Sequence, residues 1–274
     1  MRRLLFLLPL ILLLVSCGKD KESPSDFLNA KDRFAVETEL VFDIPSIDEN
    51  FCIMQGGCVT DNYIWVLIVG VENYYNDFAK ECYIVKYDRA TMEEIGRSDK
   101  LKLGHANDMT YVAETNELYV AQCFANQVSI VDPESLTIKE TICLDLYFSV
   151  YAIDYNPSKD SFVMGVGQAG MAMFDRELNL YDTAMPQDTT LVTQGICADD
   201  QYVYHVLYST KSNTEEPDNM IFVLDWEGNL ITKVPIGLEG YEPENISLVG
   251  NTFYIGCNDG DGGAIFTAKL KHAE

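Results

Sequence analysis

Basic residues are scarce in this 274-residue chain. It contains 19 Lys and Arg against 43 Asp and Glu, which gives a formal net charge of −24. A surface this acidic repels nucleic acid and anionic lipid headgroups, so we expect no nucleic-acid partner. Cationic ligands, metal ions and neutral glycans remain compatible with the charge.

Long apolar segments are also missing, except at the N-terminus. Arg2 and Arg3 precede an apolar run over residues 4–15, which is too short to span a bilayer as a helix. A charged start followed by a short apolar run is typical of a secretory signal peptide. The sequence therefore predicts a leader over residues 1–16. One interpretation of this segment is an ordinary signal peptide that precedes Cys17 by chance.

The four residues Leu14-Val15-Ser16-Cys17 resemble the lipobox of bacterial lipoproteins. The resemblance implies cleavage before Cys17 and attachment of lipid to its thiol, which would anchor the protein to the outer membrane of the cell envelope. The polar stretch from Gly18 to Glu22 resembles the surface-export tag of Bacteroidota-type lipoproteins, although a solvated linker explains it equally well. We expect residues 17–35 to form the anchor and a flexible tether, and residues 36–274 to form one domain.

The chain has no C-x-x-C pair, so the sequence gives no support for a zinc site. Most cysteines beyond Cys17 lie inside apolar, strand-like runs rather than in short loops. Such residues behave as small buried hydrophobes, and we therefore expect free thiols. These cysteines are Cys52, Cys58, Cys82, Cys123, Cys143, Cys197 and Cys257.

Helical periodicity is absent as well, and a repeat of about 46 residues occurs five times instead. Each unit has a small or polar opening, an apolar strand, a turn and a second strand, and the units start at positions 55, 107, 151, 194 and 244. A third strand follows, and in four units it ends in an aspartate that can accept amide hydrogens of the next turn: Asp88, Asp132, Asp175 and Asp225. Four short antiparallel strands per unit predict an all-β, five-bladed β-propeller.

The fifth unit has no fourth strand before the chain ends. The segment Val36 to Pro45 resembles the fourth strands of other units, notably Leu230 to Ile236. We expect it to pair with the C-terminal blade and close the ring, with an open β-sandwich as the alternative. Alternation of faces would then bury Leu40 and Phe42.

Strands such as Glu117 to Ala121 (ELYVA) and Val128 to Asp132 (VSIVD) resemble those of YVTN-like and WD-like β-propellers, and the resemblance covers residues 36–271. It implies that the first strands line a central channel and that ligands bind on one face of the ring. The Trp-Asp dipeptide of true WD repeats is missing, so the partners of that family are not implied. A shared fold does not fix function in any case.

Alignment of the five units places polar side chains in two successive rings around the channel. The first ring holds Gln55, Asn107, Tyr151, Gln194 and Glu244, and the second holds Gly56, Asp108, Ala152, Gly195 and Asn245. Two insertions fall on the same face: Val71 to Glu81 carries aromatic residues, whereas Ser209 to Asn219 is polar and acidic. Shorter segments add further aromatic residues there, namely Tyr147, Phe148, Tyr208 and Tyr241. Aromatic rings beside amides and carboxylates suit a sugar, although loop aromatics can also pack onto the blades. The expected ligand-binding residues are Gln55, His105, Asn107, Asp108, Tyr151, Gln194, Glu244 and Asn245.

The sequence therefore favours a monomeric binding module that engages a glycan or a protein partner. A glycan hydrolase or lyase is the alternative, with Asp108 and Glu244 as acid and base and Asp154 as a weaker third candidate. His105 lies near Asp108 and has the chemistry of a general base, but no nucleophile is tied to it by spacing.

The acidic turn from Asn258 to Gly263 resembles a calcium-binding turn, with Asp259 and Asp261 as ligands. It lacks the later bidentate glutamate of the helix-loop-helix site, and Asp-Gly pairs form turns without metal. We expect no cofactor, with calcium at these two residues as the lesser alternative.

Overall fold

The computed structural model describes residues 34–71, 81–209 and 217–272. This part of the chain is all-β, as predicted, and contains twenty strands. None of its segments is a helix long and apolar enough to cross a membrane. The predicted leader, Cys17 and most of the tether lie outside the described residues. So do the centres of the two insertions, with Tyr74, Tyr75 and Phe78.

Three of the sheets in the described residues have four antiparallel strands each, paired in chain order. The first consists of β6 (His105–Val112), β7 (Glu117–Cys123), β8 (Gln127–Val131) and β9 (Ile138–Cys143). The second consists of β10 (Ala152–Asn156), β11 (Ser161–Val166), β12 (Gly170–Phe174) and β13 (Leu180–Ala184). The third consists of β14 (Val192–Ala198), β15 (Tyr202–Tyr208), β16 (Asn219–Asp225) and β17 (Leu230–Pro235).

The fourth sheet has eight strands and joins the two ends of the described chain. Its main path runs β18-β19-β20-β2-β3-β4-β5, and β1 pairs with β20 beside this path. The strands are β1 (Phe34–Pro45), β2 (Phe51–Val59), β3 (Tyr63–Gly70), β4 (Cys82–Asp88), β5 (Glu94–Arg97), β18 (Glu242–Val249), β19 (Thr252–Asn258) and β20 (Gly262–His272).

The predicted closed ring of five separate blades is wrong. Hydrogen bonding groups the twenty described strands into four sheets rather than five, and these sheets do not form a closed hydrogen-bonded ring. The reason lies at Gly262, which pairs in parallel with Ile53 and so fuses two four-stranded units. Gly262 has φ +118°, and a Cβ there would lie 2.2 Å from the carbonyl oxygen of Ile44, so only glycine allows this approach. The arrangement is propeller-like in the coarser sense of repeated four-stranded antiparallel units.

The N-terminal strand pairs antiparallel with β20, from Phe34 opposite His272 to Pro45 opposite Gly262. The expected alternation fails between Leu40 and Phe42, where the register shifts by a bulge. Leu40 is therefore 47% exposed, contrary to prediction, whereas Ile44 is 2% exposed. Val41 and Phe42 both pack against the cluster that contains Ile44.

Apolar side chains between neighbouring sheets form the core. Tyr119 and Phe162 pack together across two sheets with ring centroids 4.8 Å apart, and Tyr204 and Phe253 do the same at 4.8 Å. The seven cysteines that the structure describes are free, as expected, and all except Cys143 are buried. The thiols thus contribute to packing in the way that the apolar runs predicted.

The turns after the third strands use the expected aspartates. Asp132 Oδ1 accepts the backbone N–H groups of Glu134 and Ser135, and Asp88 Oδ1 accepts those of Ala90 and Thr91. These hydrogen bonds favour the charged carboxylate, so the pKa of Asp132 and the pKa of Asp88 lie below their ordinary values. The aspartates that mark the repeat in the sequence therefore stabilise the turns that follow the third strands.

Truncation of Ile44 tests the contribution of β1. Ile44→Ala removes a fully packed side chain and should lower the free energy of unfolding by about 2–4 kcal/mol. Leu40→Ala is the matched control on the same strand, and because its side chain is half exposed it should cost less than about 1 kcal/mol. Denaturant unfolding of both variants measures the difference. Equal losses would contradict the observed bulge and the burial of Ile44.

Candidate functional site

The first strands of the five repeats lie side by side at the centre of the molecule. Each first strand packs against the next one: β2 against β6, β6 against β10, β10 against β14, and β14 against β18. Strand β18 also packs against β2, which belongs to the same eight-stranded sheet. The residues that the repeat aligned are thereby brought together, although they are far apart in the sequence.

Four of these strands carry a β-bulge at the same repeat position. The register shifts around Gln55 in β2, Asn107 in β6, Gln194 in β14 and Glu244 in β18, so each of these residues has no partner on the adjacent strand. Tyr151 occupies the equivalent position directly before β10. Bulges re-aim side chains and occur often beside active sites. Here they mark four of the five members of the first ring.

Side chains of the first ring bond to one another and to the neighbouring backbone. Gln55 Nε2 donates to Glu244 Oε2 at 2.8 Å, and Gln194 Nε2 donates to Glu242 Oε1 at 3.0 Å. Asn107 Nδ2 donates to the carbonyl oxygen of Tyr151 at 2.6 Å. We call the first ring, together with the adjacent Asp108, the polar plug.

Asp108 lies at the centre of the polar plug and is 1% exposed. Its Oδ1 accepts the N–H of Met109 at 2.9 Å, and its Oδ2 accepts the N–H of Ile153 in β10 at 3.2 Å. Burial raises the pKa of Asp108 well above its ordinary value, because desolvation outweighs these hydrogen bonds. The carboxyl thus accepts hydrogen bonds from the backbone of its own strand and of β10.

Glu244 and Asn245 are also 1% exposed. Burial raises the pKa of Glu244 well above its ordinary value, and the nearby Glu242 carboxylate raises it further. Asn245 directs its side chain toward Gly256, where an added Cβ would lie 2.1 Å from Asn245 Oδ1. Glu244 and Asn245 do not line the open cavity of this face, whereas the other four members of the first ring do.

A cavity of about 340 Å³ opens above the polar plug, and we call it the mouth cavity. Its wall combines amides, hydroxyls and aromatic rings from the loops that were expected to share one face. Gln55 lies in its floor, and among the described residues Gln55 Oε1 has no hydrogen-bond partner. Its lining includes Gln55, His105, Asn107, Phe124, Tyr151, Gln194, Tyr208 and Glu242.

Phe124 stands at the rim of the mouth cavity and is 52% exposed. Its ring centroid lies 5.5 Å from that of His105 and 6.3 Å from that of Tyr151. Its backbone has φ +64°, which is rare and strained for a bulky side chain. Strained residues are concentrated at functional sites, so Phe124 is a candidate stacking surface.

Sequence reasoning missed Phe124 and Glu242. Burial raises the pKa of Glu242, which is half-buried and holds Gln194 through the hydrogen bond given above. The sequence offered no clear signal for Glu242, because the bulge at Glu244 breaks the alternation of faces that would otherwise put both glutamates on one side of the strand. The turn from Phe124 to Asn126 contains no glycine, so its positive φ angles left no mark in the sequence.

A second cavity of about 210 Å³ lies at the opposite ends of the first strands, and we call it the far cavity. Asp154 lines it, accepting the Thr110 hydroxyl at 2.8 Å and the N–H of Ala198 at 2.9 Å. Burial raises the pKa of Asp154 to about 6. Asp154 therefore lies on the other side of the polar plug from Glu242 and does not converge with it.

The acidic turn forms hydrogen bonds within itself and one to Ser46 near the start of the described chain. Asp259 Oδ1 accepts the N–H of Asp261 at 2.9 Å, and Asp261 Oδ1 accepts the hydroxyl of Ser46 at 2.9 Å. The described residues contain no group of three or more His, Cys, Asp or Glu side chains placed to hold a metal ion. Calcium at Asp259 and Asp261 stays a prediction.

Comparison with solved structures shows the fold alone. The chain is similar to glutaminyl cyclase from Myxococcus xanthus, with a TM-score of 0.61 and 8% identity over 86% of this chain and 97% of that one. It is also similar to hydrazine synthase from Kuenenia stuttgartiensis, with a TM-score of 0.45 and 11% identity over 77% of this chain and 57% of that one. No protein-family model and no curated protein matches the sequence.

The raised pKa of Asp154 predicts a fold that loses stability as the pH rises. The folded state keeps a proton that the unfolded chain releases near pH 4, so this contribution is full below pH 4 and is lost toward pH 6 and above. Asp108 and Glu244 act in the same direction. Thermal midpoints should therefore fall by several degrees between pH 4.5 and pH 7.5.

Asp154→Asn should flatten this pH dependence, because it removes one of the groups that bind the extra protons. The control is Asp188→Asn, which removes the same charge from an exposed loop. Midpoints are measured by calorimetry at both pH values. Identical pH slopes for the Asp154 variant and the wild type would show that the carboxyl in the far cavity does not carry the effect.

Proposed function

We propose that this protein is an envelope-anchored binding protein that takes a glycan in the mouth cavity. The observation that carries the proposal is the meeting of an exposed, strained aromatic ring with amides and a carboxylate around one opening. Sugars are bound by stacking of their apolar face on an aromatic ring while polar groups engage their hydroxyls. Phe124 and Tyr151 supply the rings in this proposal.

The size and polarity of the mouth cavity support a small ligand or the end of a longer one. A volume of about 340 Å³ lies at the lower end of the range for small-molecule sites. The half-buried carboxylate of Glu242 lines the cavity and can accept a hydrogen bond from a sugar hydroxyl.

A glycan-active hydrolase or lyase is the second candidate, and the buried carboxyls with raised pKa values are the observation in its favour. It has less support than binding. Asp108 and Glu244 are each 1% exposed, and Glu242 is the single carboxylate among the described residues that line the mouth cavity. A two-carboxylate mechanism needs both groups at the substrate. Turnover that is unchanged in Glu242→Gln, Asp108→Asn and Glu244→Gln would exclude these carboxyls as acid and base, and absence of turnover across a glycan panel would exclude the candidate.

The binding proposal is tested by titrating the purified protein against a panel of neutral and acidic glycans. For a glycan that binds, Phe124→Ala should weaken affinity by up to about tenfold, since an aromatic contact contributes about 0.5–1.5 kcal/mol. Glu242→Gln should weaken it by tenfold or more, because a hydrogen bond to a charged group is lost. Tyr181→Ala, at an exposed tyrosine on β13 outside the mouth cavity, is the control. Silence across the panel, or capture of a protein partner instead, would overturn the proposal.

Anchoring through Cys17 is part of the proposal and has its own test. Cells that express the protein in the presence of labelled palmitate should incorporate label into the wild type and not into Cys17→Ser. Cys143→Ser is the control, because Cys143 is a second cysteine whose side chain is exposed. Equal labelling of the Cys17 variant would mean that this cysteine is not the lipidated residue.

A further inference from the structure

An apolar cleft adjoins the mouth cavity on the same face of the molecule. It has a volume of about 340 Å³ and lies among the loops that join β9 to β10, β11 to β12 and β13 to β14. Most of its wall is apolar, and the side chains that form it are Phe148, Val166, Met171, Ala184, Met185 and Pro186.

The cleft presents apolar surface to water at its edge. Met185 is 82% exposed, and Tyr147 beside Phe148 is fully exposed. No charged side chain lines the cleft among the described residues. Exposed, contiguous apolar surface in an otherwise strongly acidic protein marks a place where a neutral, apolar group binds.

Tyr151 forms a wall common to the apolar cleft and the mouth cavity. Its position is fixed on both sides, because its N–H donates to the carbonyl oxygen of Gly165 at 2.9 Å and its own carbonyl oxygen accepts Asn107 Nδ2 at 2.6 Å. One cavity is polar and the other apolar, and Tyr151, whose backbone these hydrogen bonds hold in place, lines both of them.

We propose that the mouth cavity and the apolar cleft bind one amphiphilic ligand, a glycan that carries an aliphatic or aromatic substituent. The sugar lies against Phe124 and the polar plug, and the substituent passes Tyr151 into the cleft. The choice of occupant follows from this continuity and from the absence of charge in the cleft. The inference rests on the proposed function of the mouth cavity and adds the chemical class of the ligand to it.

The cleft is tested first with a probe that needs no sugar. N-phenyl-1-naphthylamine is neutral and fluoresces in apolar surroundings, and it should bind the wild-type protein. Met185→Lys should weaken probe binding at least tenfold, and because Met185 is exposed the substitution leaves the core intact. Ile95→Lys, at a half-exposed isoleucine on β5, is the matched control and should bind the probe as the wild type does. Equal probe binding by the two variants overturns the inference and leaves the proposed function of the mouth cavity standing.

The link between the two cavities is tested with paired glycosides. Methyl and hexyl β-glycosides of glucose, galactose and N-acetylglucosamine are compared by calorimetry. For a sugar that binds, the hexyl form should bind at least tenfold more tightly than the methyl form in the wild type and in Ile95→Lys. In Met185→Lys the ratio should fall toward one.

Phe124→Ala separates one ligand from two independent sites. It should weaken binding of the hexyl glycoside while leaving the naphthylamine probe unaffected, since the probe occupies only the cleft. A hexyl glycoside that binds the Phe124 variant as well as it binds the wild type overturns the one-ligand inference. Probe binding without any glycoside binding, in a protein that is silent on the glycan panel, overturns the proposed function and the ligand class together.

Discussion

The inner edge of each sheet imposes the constraint on which the rest of the structure depends. Apart from the single bridge between Ile53 and Gly262, a first strand pairs on one side only, so its other backbone N–H and C=O groups face the crowded centre, where water cannot satisfy them. Side chains of the neighbouring first strand satisfy them instead: Asp108 accepts from Ile153, Asp154 accepts from Ala198, and Ser247 accepts from Val59. Three junctions between neighbouring first strands are thereby held by side chain to backbone hydrogen bonds. Of the three acceptors, Asp108 belongs to the rings that the repeat alignment predicted, whereas Asp154 and Ser247 lie further along their strands.

Close approach of the first strands is the counterpart of this constraint. A Cβ at Gly195 would lie 2.5 Å from Cα of Asn245, so a larger residue would push β14 away from β18. The bulges compensate by turning Gln55, Asn107, Gln194 and Glu244 out of the regular ladder, where their side chains have room. A tightly packed second ring and a polar first ring are therefore two aspects of the same geometry.

The strands and the rings could be predicted from the sequence because both recur with a period. Apolar runs placed the strands, the aspartates placed the turns, and the alignment of five openings placed Gln55, Asn107 and Gln194 in one layer. Features that are set by backbone register could not be predicted from the sequence. The fusion of two units at Gly262, the bulge that exposes Leu40, and the strained turn at Phe124 each depend on where chains meet in space. Glu242 was missed for the same reason, since only the bulge at Glu244 decides which of the two glutamates faces the opening.

The polar plug has a kinetic consequence. Gln55, Asn107, Asp108 and Glu244 are each at most 4% exposed, so the mouth cavity and the far cavity do not communicate along the axis in the part of the chain that the structure describes. A molecule in the mouth cavity therefore enters and leaves on the face that holds the mouth cavity and the apolar cleft. Its residence time is then set at that face. Any macromolecule that settled over this face would slow release without making a contact with the bound molecule itself.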